Sequence, residues 1–169
     1  MTDVTLKHKL IAGGITALVL AGGGLVLTRC ADGEEYKSSL PVEKLTIETA
    51  AGQKAGFDVE IAATPIDLHV GLMFRKEMAK DHGMLFEFGQ EPREESFWMK
   101  DTLIPLDMLF IAADGKIVTI HENAKPEDVT PISSVEPVTA VLELNGGIAA
   151  SLHIKVGDKV VHPYFKAEK

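Results

Sequence analysis

The sequence predicts a mainly β domain of the α+β class, a compact antiparallel barrel or sandwich with a short helical insert, preceded by an N-terminal apolar helix. Three observations predict it. Short runs alternate apolar and polar side chains, as Phe57, Val59 and Ile61 do with Asp58, Glu60 and Ala62. Turn signals part those runs at roughly 8–12-residue spacing with little helix between them, which favours antiparallel strands over a parallel sheet. The chain has 169 residues, some spent on the apolar segment, and that leaves room for one core.

The segment from Met1 to Leu10 carries Lys7, His8 and Lys9, and an uncharged run from Leu10 to Thr28 follows. A basic stretch before an apolar one is an export signal or a membrane anchor. Ala21 and Gly23 offer a cleavage site, whereas Leu10 to Leu27 could just span a bilayer. Lys7 and Lys9 stay inside under either reading, so the rest of the chain is expected outside the cytoplasmic membrane, periplasmic or extracellular. Cys30 suggests a lipoprotein signal, but Arg29 stands where a small residue is wanted. Residues 1–30 are therefore read as signal peptide or anchor, 31–43 as a polar linker, and 44–165 as one domain.

Within the domain, Leu45 to Glu48 and Phe57 to Ala62 read as paired strands around a turn holding Gly52 and Gly56. Thr64-Pro65-Ile66-Asp67 is a helix start, with a Thr cap, Pro at the first position and a carboxylate near the amide dipoles. Ile66, Val70 and Met73 form its expected apolar stripe. Met84 to Phe88, Ser96 to Lys100, Leu106 to Ile111 and Lys116 to Glu122 read as strands, with a hairpin at Ala113-Asp114-Gly115-Lys116. Asn123 to Pro137 is a long loop, Thr139 to Leu144 a last core strand, Ile148 to Ile154 one or two helical turns, and Val156-Gly157-Asp158-Lys159 turns into Val160 and Val161.

Charge and cysteine content exclude several functions. Setting aside Lys7, Lys9, Arg29 and Asp3 leaves 14 basic and 24 acidic side chains in residues 31–169, a formal charge of −10. Such a surface repels phosphate backbones, so no nucleic acid partner is expected. Cys30 is the single cysteine, which rules out an intrachain disulfide and cysteine-based metal sites.

Residues 71–110 hold five of the six methionines, five of the seven phenylalanines and the one tryptophan, so this stretch fills a core or lines a site. Strand alternation at Phe97-Trp98-Met99-Lys100 would set Trp98 and Lys100 on one face, where an indole could stack on a ring while Lys100 or Asp101 fixes a polar group. The alternative is a half-buried Trp98 whose edge Lys100 covers. Asp107 lies in an otherwise apolar strand and needs a partner, since a lone buried charge costs several kcal/mol; its structural reading is a clamp on the Leu103-Ile104-Pro105 corner. Glu143, between Leu142 and Leu144, is a similar case, and Arg75 pairing with Glu143 or Asp107 would satisfy them most simply. No His-Glu-x-x-His, nucleophile elbow or phosphate loop occurs. Met73, Met78, Met84, Met99 and Met108 with His82 and Trp98 could form a soft copper(I) site, although methionines among Phe and Leu more often fill core gaps.

Gly71-Leu72-Met73-Phe74-Arg75, Gly83-Met84-Leu85-Phe86, Phe97-Trp98-Met99-Lys100, Ile104-Pro105-Leu106-Asp107, Val141-Leu142-Glu143-Leu144 and Gly157-Asp158 occur in that order. Together they resemble the family known as domain of unknown function 192, over about Leu45 to Val161. The resemblance implies a compact, mainly β fold with a short helix, often behind a signal or anchor, and implies no established activity. Asp101 stands where the family usually has Asn, and Leu68 where an Arg commonly precedes Gly-Leu-Met.

The leading expectation is an extracytoplasmic small-ligand-binding or accessory domain, non-catalytic and without a cofactor, whose site draws on Arg75, Trp98, Lys100, Asp101, Asp107 and Glu143. Its partner would be a small molecule or an envelope protein, with membrane contact only through the N-terminal segment. One alternative is a small hydrolase or lyase using Asp107 and Glu143 as an acid/base pair, and another is copper(I) binding.

Overall fold

The computed structural model describes residues 40–165, and the expected N-terminal helix and most of the linker lie outside them. In chain order the elements are β1 (Val42–Glu48), β2 (Lys54–Ala62), α1 (Pro65–Val70), β3 (His82–Glu87), β4 (Ser96–Phe97), β5 (Leu106–Ile111), β6 (Ile117–Ala124), β7 (Ile132–Ser133), β8 (Ala140–Asn145), α2 (Ile148–Ser151) and β9 (Lys159–Val161). Seven strands make one curled sheet in the order β6, β5, β8, β3, β2, β1, β9, while β4 and β7 pair separately. The two edge strands touch at one end, where Lys116 bridges Lys159 and the Val160 amide donates to the Gly115 carbonyl at 2.8 Å. The fold is mainly β, a half-barrel with few short helices.

Sequence and structure agree on most elements and differ at four, one of them β7, a two-residue strand inside the expected loop of Asn123 to Pro137. The sheet is mixed rather than antiparallel, because β2 and β3 run parallel from Asp58 opposite His82 to Ala62 opposite Phe86. Residues 63–81, with α1 inside them, carry the chain back to the end of the sheet from which β2 began, as a parallel pair requires. The strand expected over Ser96 to Lys100 stops at Phe97, and the chain turns at Asp101, whose φ is +54°. The helix begins as expected, with Thr64 and Asp67 forming a reciprocal capping box. It stops at Gly71 after six residues, too short to build the expected stripe, so Ile66 stays 74% exposed while Leu72 and Met73, beyond the helix, are buried.

Strand periodicity sorts the core into two layers. Leu45, Ile47, Phe57, Val59, Leu85, Leu109, Leu142 and Leu144 fill the first. Met84, Phe86, Met99, Leu106, Met108, Phe110 and Val141 fill the second, on the other face of β3, β5 and β8. Both faces of these central strands are covered, which explains why β5 is buried at all six positions. Methionines 84, 99 and 108 are fully buried within the second layer, packed as gap-filling core rather than presented to a metal. His82 faces Asp81 instead, with Nδ1 3.1 Å from its carboxylate.

Candidate functional site

Alternation along β5 and β8 sends the two inward carboxylates to opposite faces. Asp107 pairs in register with Leu144 on the first-layer face, and Glu143 pairs with Met108 on the second-layer face. The expected acid/base pair is therefore not assembled. Asp107 is a clamp: Oδ1 accepts from the amides of Asn123 at 2.8 Å and Gly147 at 3.0 Å, and Oδ2 accepts from Ala149 at 2.7 Å. It ties the end of β6 to the start of α2, rather than the Leu103-Ile104-Pro105 corner. Asp158 plays the same part elsewhere, accepting from Ala50 and Lys155, a role the sequence reading missed.

Arg75 meets neither Asp107 nor Glu143. Its guanidinium grips Glu60 with two contacts of 2.6 Å in a largely buried pair. The register shows why. Glu60, Met84, Glu143 and Met108 form one row across β2, β3, β8 and β5, with Met84 between the two carboxylates. Adjacent strands lie about 4.8 Å apart, so the backbones of Glu60 and Glu143 stand roughly 10 Å apart and one guanidinium serves only the nearer.

Glu143 is left without a partner. It is 4% exposed, and no side-chain hydrogen bond or ion pair reaches it among the described residues. Loss of hydration disfavours the charged form, and burial alone pushes its pKa up to about 8. At neutral pH the group is mostly a neutral acid, able to donate a hydrogen bond.

It opens onto a cavity of about 350 Å³. The turn after α1, with Gly71, Leu72 and Met73, forms one wall, and Phe86, Phe88 and Phe97 form another. Trp98 stands at the rim, 45% exposed. Phe97 packs edge to face on Phe86 at 5.1 Å between ring centroids, an arrangement that fixes both rings. Gly71 lets the turn approach: its φ is +48°, and a Cβ there would lie 3.0 Å from the Phe86 ring. Arg93 also lines the space, but it is held in an ion pair with Glu95 and lies over the Phe88 ring, 5.6 Å from the centroid.

Of the six expected site residues, Trp98 and Glu143 line the cavity. Lys100 sits over the indole at 5.7 Å, so the expected shared surface exists as a cation–π contact. Asp101 serves the backbone: it takes a left-handed turn, which Asn and Asp tolerate best among side chains, and its carbonyl accepts from the Phe74 amide at 2.7 Å. Arg75 and Asp107 hold structure. The sequence reading missed the phenylalanine wall, although Met84, Phe86 and Phe88 recur at every second residue on one face.

Fold and site together define a small half-barrel domain carrying one unpartnered acid in a cavity walled in part by aromatic rings. The chain belongs to the DUF192 family, described as an uncharacterized ACR, which it matches over residues 46–162. Among solved structures it is similar to a Sinorhizobium meliloti 1021 protein provisionally described as a transcription regulator, with 48% identity, a TM-score of 0.72, and coverage of 75% of this chain and 97% of that one. It is also similar to a protein of unknown function from Novosphingobium aromaticivorans DSM 12444, with 40% identity, a TM-score of 0.71, and coverage of 76% and 91%. No curated protein matches significantly.

Proposed function

We propose that this protein is a non-catalytic extracytoplasmic domain that binds a small ligand in the cavity between the turn after α1 and the Glu143 face of the sheet. One observation carries the reading: a buried acid without a partner opens onto a cavity walled in part by aromatic rings. An unsatisfied buried polar group costs roughly 1–3 kcal/mol, and a ligand that satisfies it recovers part of that cost. The volume falls at the small end of ligand sites, which span about 300–1,000 Å³ and carry few polar groups on apolar walls. The basic and apolar start of the sequence supports an extracytoplasmic place for the domain. The relative's description as a transcription regulator does not extend readily to this chain, whose net charge of −8 opposes duplex DNA.

Native mass spectrometry of the full chain, purified gently from the envelope of its expression host, tests the reading. A small-molecule adduct that disappears in Trp98→Ala, with the fold retained, is the expected result. An adduct equally abundant in that variant and in Phe97→Leu would place the ligand elsewhere.

A further inference from the structure

We propose that the cavity takes a small organic ammonium ion with an apolar body, its nitrogen held against Glu143 and its body among Phe86, Phe88, Phe97 and Trp98. The inference rests on the reading of the cavity as a ligand site and gives that site a chemical class.

The lining supplies what an amine needs and leaves unmet what an amine provides. Arg75 is spent on both oxygens of Glu60, and Arg93 on Glu95 and Phe88. The Thr102 hydroxyl donates to the Lys100 carbonyl. No hydrogen bond reaches the Glu143 carboxyl from these groups or from His69, Ser96 and Trp98, which also line the space, so a donor seated in the cavity can complete it. Aromatic faces attract cations, most strongly where water is excluded, and this lining already shows the preference: Arg93 lies over Phe88 and Lys100 over Trp98. The net charge of −8 draws cations toward the molecule over longer distances. An apolar body fits the part of the wall made by Leu72, Met73 and the Phe86, Phe88 and Phe97 rings.

Binding has a proton balance. The empty site holds Glu143 as the neutral acid near pH 7, so seating an ammonium ion against the carboxylate releases that proton to solvent. Affinity for the cation rises about tenfold per pH unit below 8 and levels off above it. Other groups face the same space: His69 from the α1 side, and Arg93 with Glu95 from the segment leading into β4. The Glu60–Arg75 pair stands beyond Met84 in the row across the sheet. Glu143→Gln leaves all of these groups in place, so the difference in pH slope between it and the wild type reports the carboxyl alone.

Isothermal titration calorimetry of the full chain with three probes of one shape tests this: 2-phenylethylammonium, 2-phenylethanol and 3-phenylpropanoate, at pH 6, 7 and 8. The ammonium ion is expected to bind at least tenfold more tightly than the other two. Glu143→Gln, similar in shape, should cut its affinity at least tenfold and flatten the pH slope. Phe97→Leu should weaken it several-fold while Trp98 emission reports an intact fold. Equal affinity for the alcohol or the carboxylate overturns the ammonium class and leaves the ligand site standing, as does an ammonium affinity unchanged in Glu143→Gln. Failure of all three probes, with a Trp98-dependent adduct in the mass spectrum, likewise overturns the class alone. Failure of all three with a bare mass overturns both readings.

Discussion

Two carboxylates on adjacent strands show how one residue type takes opposite parts. Asp107 is fully buried and bonded to three backbone amides, whereas Glu143 is nearly as buried and bonded to none among the described residues. Asp107→Asn places an NH2 group against those amides, leaving donors facing donors. Each unsatisfied buried group costs roughly 1–3 kcal/mol, so the variant is expected to lose at least about 3 kcal/mol in urea unfolding. A loss under about 1 kcal/mol would contradict the clamp. Glu143 acts in the other direction. Below its ordinary value of 4.5 it is protonated in folded and unfolded chains alike, and its burial adds no pH dependence. From 4.5 to about 8 only the unfolded chain ionises, so this residue's contribution to stability falls as pH rises and levels off above 8. Each pH unit of that window is worth about 1.4 kcal/mol at most. Unfolding at pH 5, 7 and 9 should therefore show Glu143→Gln gaining several kcal/mol on the wild type as pH rises; parallel curves for the two proteins would contradict the assignment.

Among the elements, those governed by local rules were legible in the sequence and those set by long-range pairing were not. The Thr64 cap, the Asp114-Gly115 hairpin and the β5 run follow from neighbours within a few residues, and each stands where the pattern places it. The parallel pairing of β2 with β3 depends on where residues 63–81 lead the chain, and no periodicity encodes that. The site divided along the same line. Trp98 and Glu143 stood out as an aromatic and an acid in unusual company, but the partner of Arg75 is fixed by sheet order, which brings Glu60 within reach and sets Met84 before Glu143. The two edges of the half-barrel meet through a few backbone hydrogen bonds, Val160 to Gly115, Ile117 to Asp158 and Gly157 to Ile117. At Gly115, φ is +91° and a Cβ would stand 2.5 Å from the Val160 carbonyl oxygen. Gly115→Ala is expected to pry β9 from the Lys116 bridge and cost about 2 kcal/mol or more, the sum of a strained backbone and a displaced edge. Hydrogen exchange should show the Val160 amide losing protection ahead of the amides of β3 and β8. Unchanged protection at Val160 would mean that the edges are held by other contacts.

Across the whole molecule, the family match and the cavity both fall within the described residues, and the segment before them carries the question of location. Among the described residues no helix is long and apolar enough to cross a membrane. The proposed export rests on the basic and apolar run of Met1 to Thr28, and a fusion of residues 1–36 to alkaline phosphatase is expected to be active, since that enzyme folds only after translocation; an inactive fusion would contradict the proposed location. Wherever the domain works, its proposed ligand chemistry turns on the state of one carboxyl lining one cavity. The side-chain carboxyl carbon of Glu143, followed by NMR across pH 3 to 10 with Glu143→Gln to assign it, tests that directly. A midpoint near 8 is the expected result. A midpoint near the ordinary 4.5 would show an acid already hydrated or partnered, and the cavity would lose the group on which its ligand chemistry depends.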